Sequence, residues 1–295
     1  MKIAYISCLD HEQYSVGYDD EESLLLKFLL KKGLDIERQV WNNPGIDWQE
    51  YALVVLKSPW DYHENFEDFN RWLDTLKNLN IKLLNPIDIV RWNSDKHYLQ
   101  DIAMAGLDVI PCLYIERGNK PDLATFFDQL QSEKLIIKPC VSAGAKNIIQ
   151  ATQDNVNGLQ DTIYQLLDTE SYIVQPFVQE IFDGEWSLIF FNGKFSHCVL
   201  KMPGGGDFRV QHYHGGSVQA AEPDLTHINC ATAYVAKFGK DTLYARVDGV
   251  IRNGRFQLME LELVEPYLYL DSHPEAYERF CNALLQFVER HPVVT

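Results

Sequence analysis

No stretch of the 295-residue chain is apolar for long enough to cross a membrane. Basic residues are scarce: 26 Lys and Arg stand against 42 Asp and Glu, a formal net charge of −16. A nucleic-acid backbone or an anionic membrane surface repels such a chain, so neither is expected as a partner. Cysteine is thinly spread as well. Cys8, Cys112, Cys140, Cys198, Cys230 and Cys281 include no close pair with metal-finger or redox spacing. They read as reduced, mostly core thiols of a cytoplasmic protein. The opening "MKIAYISCLDHEQ" turns acidic too early for a secretory signal. No Gly-rich dinucleotide fingerprint follows the first apolar strand, which argues against a nicotinamide cofactor, and the G-x-x-x-x-G-K-[ST] spacing of a Walker loop is missing too. Internal repeats, low-complexity tracts and flexible linkers are also absent, so the chain is expected to pack closely.

What is present is an ordinary globular composition, 46% hydrophobic and 23% charged. Three blocks follow one another. Residues 1–93 alternate strands ("KIAYIS", "IERQVW", "YALVVLKS", "IKLLN") with helices ("DDEESLLLKFLLKKG", "NFEDFNRWLDTLKNL"), which predicts a parallel sheet covered by helices. Asp19 and Glu22 have the spacing of a capping box, and Gly33 stops that helix. Residues 94–180 hold a short helix, "SDKHYLQDIAMAG", with Ser94 as its cap. A strand–loop–strand unit, "KLIIKPCVSAGAKNIIQ", and the strand "SYIVQPFV" come next. Residues 181–295 are strand-rich, with a hairpin turning at Asn192-Gly193 and a closing amphipathic helix, "HPEAYERFCNALLQFVERH". The fold class is mixed α/β: an N-terminal parallel α/β domain followed by two α+β subdomains.

The segment "RVDGVIRNGRFQLMELELVEP" places Arg246, Asp248, Glu260 and Glu262 in what otherwise reads as two buried strands. Buried charge must be paired or bound to a metal. Parity decides which side chains meet. A two-residue Asn-Gly turn pairs Val247 with Glu260 and sends Asp248 and the glutamates to opposite faces. A three-residue loop, Arg252 to Gly254, pairs Arg246 with Glu260 and brings Asp248 diagonal to it. The second is expected, because it leaves Ala245, Val247, Met259, Leu261 and Leu263 on one apolar face. Carboxylates converging there suit a hard cation such as Mg²⁺. Taken alone, the hairpin also fits a solvated face with cross-strand ion pairs.

Cations to match an anionic ligand stand upstream. Lys138 is the one charge near the end of the apolar strand "KLIIKP", and the small residues of "VSAGAKN" after it let backbone N–H groups approach an anion. Lys96 sits near a helix start, where the macrodipole disfavours a cation. Arg209 lies between the glycine-rich turns of "MPGGGDFRVQHYHGGS".

In this order the motifs resemble the ATP-grasp superfamily from Lys96 to Pro266, more than half the chain. "NSDKHYL", "DFRVQHYHGGS", "RVDGV" and "MELELVEP" resemble its glutathione-synthetase-like branch. With "SPWDYHENFEDFNRWL" they look closest to the group of the cycloserine-forming O-ureido-serine cyclo-ligase and its relatives. The resemblance implies two subdomains that clasp ATP. Lys96 and Lys138 would hold the phosphates, and a mobile loop from Ser142 through Ala143 and Gly144 to Asn147 would cover them. Gln175, Phe177 and Val178 would face adenine and Glu185 the ribose. Arg209 and Arg246, with Lys138, would serve the reacting groups. Asp248, Glu260 and Glu262 would bind two Mg²⁺ ions, with Mn²⁺ as a substitute. The implied reaction is ATP-dependent ligation of a small-molecule carboxylate to an amine or aminooxy group, through an acylphosphate, giving ADP and phosphate. Whether the protein forms a homo-oligomer is left open. Glu262 departs from the pattern, since many members have Asn there, and so does "PYLYL" after it.

"LKSPWDYHENFEDF" follows a predicted parallel strand, and open α/β sheets bind ligands at the carboxyl ends of their strands. Lys57, Ser58, Trp60, Asp61 and Tyr62 are therefore candidates for substrate contact, the alternative being that Trp60 and Tyr62 pack under the next helix. Two further readings are a cupin-like transition-metal site built on His212 and His214 with Glu260 or Glu262, and a nucleotide-binding protein without ligase chemistry.

Overall fold

The structure is a computed structural model and describes residues 1–9, 20–144, 147–205, 208–210 and 215–290. The alternating N-terminal pattern forms a parallel sheet of β1 (Ile3–Ser7), β2 (Ile36–Val40), β3 (Leu53–Ser58) and β4 (Lys82–Leu84), in the order β2-β1-β3-β4. Both central strands, β1 and β3, are buried along their whole length, as a sheet covered on two faces requires. Ile3 and Tyr5 pack with Leu25 and Leu29 of helix Glu21–Lys31. Ala4 and Ile6 face Phe69, Trp72 and Leu73 of helix Phe66–Asn78.

The expected capping box is not what starts the first helix. Asp20 accepts from the Ser23 amide at 3.0 Å, and Asp19 lies outside the described residues. Glu22 instead turns into the core, where its carboxylate accepts from Lys57 (2.6 Å), the Tyr5 hydroxyl (2.6 Å) and Ser58 (3.0 Å). Glu21 beside it accepts from the amides of Leu268 (2.9 Å) and Leu270 (2.8 Å) and from Lys57 (3.2 Å). Lys57 also donates to the Pro266 carbonyl at 3.2 Å.

A four-stranded antiparallel sheet follows: β5 (Leu113–Ile115), β6 (Lys134–Pro139), β7 (Ile149–Thr152) and β8 (Tyr172–Pro176), ordered β5-β8-β6-β7. Helices Thr125–Leu130 and Val156–Leu167 bury Phe126, Phe127, Ile163 and Leu167 against it. Ser94 does not cap the helix after it. It ends helix Ile87–Asn93, with its hydroxyl donating to Val90 O at 2.6 Å, and the next helix runs Tyr98–Met104.

The largest sheet is antiparallel, in the order β11-β10-β9-β12-β13. Its strands are β9 (Glu185–Phe191), β10 (Lys194–Met202), β11 (Ser217–Ala220), β12 (Tyr244–Arg252) and β13 (Arg255–Glu262). Asn192 and Gly193, at φ 47° and 75°, make the expected turn between β9 and β10. Helix Leu225–Phe238 packs with Leu188, Phe190, Ala245 and Val247. Helix Ala276–Arg290 joins Ile189 and Phe191 to Ile3 and Tyr5 of the parallel sheet. Two amides fasten this seam. Asn85 donates to Tyr244 O (2.9 Å) and Leu263 O (2.7 Å), and Asn93 bonds both Leu261 O and Leu263 N at 2.7 Å. All six cysteines are free. Among the described residues no helix is long and apolar enough to cross a membrane.

Candidate active site

The β12–β13 hairpin corrects the expected register. Arg252 pairs with Arg255, so the loop is the two-residue Asn253-Gly254 turn, with both residues at positive φ. That turn alone would split the acids between faces. The parity change comes further along, as a β-bulge at Met259: Leu258 pairs with Gly249, yet Glu260 pairs with Asp248 and Glu262 with Arg246. Opposite the bulge only glycine fits, since a Cβ on Gly249 would lie 2.5 Å from both Gln257 O and Phe256 Cζ. Arg246, Asp248, Glu260 and Glu262 thus line one cleft of about 310 Å³, while Ala245, Val247, Leu261 and Leu263 enter the core. Met259, expected on the core face, lines the cleft with the glutamates.

The charges of the hairpin and the cations that face them have built partners. Lys138 of β6 donates to Glu260 at 2.6 Å. Arg246 meets Asp248 at 2.8 Å, Glu262 more closely, and the Tyr267 carbonyl at 2.9 Å. Asp248 also accepts from Ser187 at 2.5 Å and lies 3.4 Å from Lys201. Lys201 pairs across the strands with Glu185. Lys96 is fixed by its amide on Cys140 O (2.9 Å) and by Tyr114, which donates to its carbonyl (3.0 Å); its ammonium donates to Ser142 O and Oγ at 3.1 and 3.0 Å.

Burial disfavours every one of these ions, and the neighbours decide the outcome. Burial is outweighed for Glu260, whose carboxyl is held at about 2 by Lys138 and Lys96. Asp248 also stays well below the usual carboxylate range, because Arg246 and Lys201 overcome its burial. Burial wins at Glu262, pushed up to about 8 despite Arg246, with Asp248, Glu260 and Glu265 adding repulsion. Glu265 rises to about 7 by burial, against the pull of Lys96, the Tyr62 bond and Arg246.

At one end the cleft is apolar. Phe177 stands edge-on to Phe208 at 5.5 Å, with Lys134 4.4 Å from its ring centre, and Val178 packs with Ile110, Ile181, Val210 and Val250. Gln175, Glu185 and Arg209 line the cleft as well, as do Ser142, Ala143 and Gly144. Of the predicted loop, residues 145 and 146 lie outside the described residues.

The candidates after β3 divide. Trp60 and Tyr62 reach the cleft, and Tyr62 also packs on Phe69 at 5.1 Å, so wall and core are one side chain here. Lys57 and Ser58 do not reach it, because both are turned onto Glu22 in the core. Asp61 does not line it either and accepts from Trp41 Nε1 at 2.6 Å. Sequence reasoning missed Lys201, Glu265, Tyr267 and Tyr269, which line the cleft. Lys201 carried a usable signal, being a lone lysine near the end of the apolar run "HCVLKM".

Residues 3–85 match the family described as the N-terminal domain of D-cycloserine synthetase DcsG. Residues 100–251, just over half the chain, match the family described as the ATP-grasp domain of prokaryotic glutathione synthetase. The chain is 28% identical over 297 aligned positions to the cycloserine biosynthesis protein DcsG of Streptomyces lavendulae, covering 95% of this chain and 98% of that protein. It is 21% identical over 178 residues to the glutathione synthetase of Rhodopseudomonas palustris, covering 60% of this chain and 54% of that protein. Among solved structures, D-cycloserine synthetase DcsG superposes with a TM-score of 0.84 and 26% identity, over 98% of this chain and 100% of that one. A D-alanine–D-alanine ligase from Bacillus anthracis shares the fold, with a TM-score of 0.71 and 15% identity over 98% of each chain.

Proposed function

This chain belongs to the ATP-grasp ligases of the prokaryotic glutathione synthetase type, which use ATP to form C–N bonds, and from that premise we propose the reaction it performs. It joins the carboxylate of a small molecule, an amino acid or peptide-like acid, to an amine or aminooxy group through an acylphosphate, with ADP and phosphate as products. The observation that carries this reading is one cleft in which Lys96, Lys138, Lys201 and Arg246 converge on Asp248, Glu260 and Glu262 beside the small residues 142–144. Such a set can neutralise a triphosphate and a reacting carboxylate together. The likeness to a D-cycloserine synthetase over nearly the whole chain supports an amino-acid-derived substrate.

In this reading residues 1–93 form the substrate-side domain, and residues 94–180 and 181–295 form the two subdomains that hold the nucleotide. Phe177, Val178 and Met259 bed the adenine, with Gln175 at the strand end, and Glu185 takes the ribose. Lys96 and Lys138 bind phosphate oxygens, with the 142–147 loop over them. Arg209 and Arg246 orient the substrate carboxylate for in-line attack on the γ-phosphorus. Asp248, Glu260 and Glu262 fit Mg²⁺, with Mn²⁺ as a substitute: all are hard oxygen donors on one face of the β12–β13 hairpin. When bound, two such ions would neutralise the transferred phosphates. The amine then displaces phosphate from the acyl carbon.

The cupin-like alternative has no support in this fold, and His212 and His214 lie outside the described residues. Trapping tests the intermediate. With Mg-ATP, a substrate acid and hydroxylamine, a hydroxamate should form in step with ADP; ADP release with no hydroxamate would refute the acylphosphate.

A further inference from the structure

Four carboxylates lining the cleft already have a cation: Glu185 with Lys201, Asp248 with Arg246 and Lys201, Glu260 with Lys138, and Glu262 with Arg246. Glu265 stands apart. Among the described residues it has no ion pair, and its side chain faces the Tyr62 hydroxyl. It lies three residues beyond β13, and its carbonyl accepts from Trp60 Nε1 at 3.0 Å. Trp60 and Tyr62 follow β3, so this carboxylate sits where the parallel sheet presents its carboxyl end, the side on which open α/β sheets take ligands.

A carboxylate drawn partly out of water with no direct ion pair is costly. The surroundings favour one kind of partner. Trp60, Tyr62, Tyr267 and Tyr269 line the same cleft, and aromatic faces attract an ammonium. Arg246, held to the Tyr267 carbonyl at 2.9 Å, presents positive charge nearby. A zwitterion fits this polarity, with its carboxylate toward the arginine and its ammonium toward the glutamate.

We propose that Glu265 binds the ammonium of a zwitterionic, amino-acid-type substrate and so sets the specificity of the cleft for that substrate, an inference that rests on the ligase reading above. The ammonium bound here is a recognition group retained in the product. The attacking nitrogen is a different one, since it must be uncharged to react.

The experiment compares amino acids of both hands with their desamino counterparts, such as alanine against propionate and serine against 3-hydroxypropionate. Stimulated ADP release is measured with Mg-ATP in the full-length protein and in Glu265→Gln. Gln keeps the volume and an acceptor for Tyr62, so the fold is retained. At least one amino acid should stimulate ADP release while its desamino partner does not. In Glu265→Gln the KM for that amino acid should rise at least tenfold and the KM for ATP should not change. A desamino acid that works as well as its amino acid, or an unchanged KM in the variant, would overturn the ammonium site. So would Mg-ATP binding with no response to any amino acid. Failure of the unmodified protein to bind Mg-ATP would instead count against the ligase reading itself.

Discussion

A lysine inside an apolar strand needs an acid, and the acid it finds settles what it does. At Lys138 the partner is Glu260, 2.6 Å away on the cleft wall. Glu260→Gln keeps the shape and removes a full charge from the proposed ion site. Ligation should fall by orders of magnitude, because metal-assisted charge neutralisation is worth several kcal/mol, while Mg-ATP affinity falls less. Steady-state ADP release beside a nucleotide titration checks this, and unchanged turnover would remove Glu260 from the ion site. His197 gives a pH-dependent effect on stability. Burial pushes its imidazole down to about 4, and Nε2 donates to Leu268 O at 2.8 Å. The unfolded chain titrates near 6.5, so between about 4 and 6.5 it binds the extra proton. The stabilisation is complete above that window and is lost as pH falls through it, roughly 1 kcal/mol of it by pH 5.5. Urea midpoints at pH 7.5 and 5.5 should show this decline, and His197→Gln should flatten it. The limits of reading residues from sequence follow from the same lysines. Lys57, Lys138 and Lys201 each stand near the carboxyl end of a strand, after an apolar run. Lys57 faces Glu21 and Glu22 in the core, while Lys201 faces Glu185 and Asp248 in the cleft. Which acid arrives is decided by chain segments far away in sequence.

At the scale of elements, the β12–β13 hairpin holds the chemistry through one extra residue. Alternation and the Asn-Gly signal were legible, and so was the need for a parity change to gather the acids. Its position was not, because a bulge has weak residue preferences and can sit anywhere along the ladder. The one local trace is Gly249, which faces it. Gly249→Ala would press a methyl group against Gln257 O and Phe256 Cζ, both 2.5 Å away. Overpacking of this kind costs about 1–3 kcal/mol, and the adjacent bulge is the part of the ladder free to shift. Lowered stability in urea, together with a raised Mg²⁺ requirement for ADP release, is expected. Full stability and unchanged metal dependence would mean that the bulge does not depend on the glycine. In the β9–β10 hairpin the Asn192-Gly193 turn lies where the sequence puts it, and there too the ladder shifts register, between Phe195 and His197, at a place no residue signal marks.

Across the whole molecule, three sheets meet around one cleft, and periodicity within each block does not specify that meeting. The parallel sheet was visible in its alternation of strands and helices. The seam was not, because Asn85, Asn93 and Lys57 bond to residues 261–266 across long stretches of chain. The proposed closure over the nucleotide belongs to this scale too. Ser142, held by Lys96, lies with Ala143 and Gly144 on the cleft. Mg-nucleotide should protect residues 142–147 from amide exchange and proteolysis, and Mg²⁺ alone should not. Equal protection in both states would make the loop a fixed turn. The buried group of Glu21, Glu22 and Lys57 reaches furthest, since it ties an N-terminal helix to the backbone of residues 266–270. It sets a condition on recombination between relatives. A graft that brings in a foreign N-terminal sheet without the segment after β13 would put at risk the bonds from the Leu268 and Leu270 amides to Glu21, and a buried polar group left unsatisfied costs about 1–3 kcal/mol. In chimeras of this architecture the N-terminal sheet and residues 266–270 are therefore two distant pieces of chain that must be exchanged together.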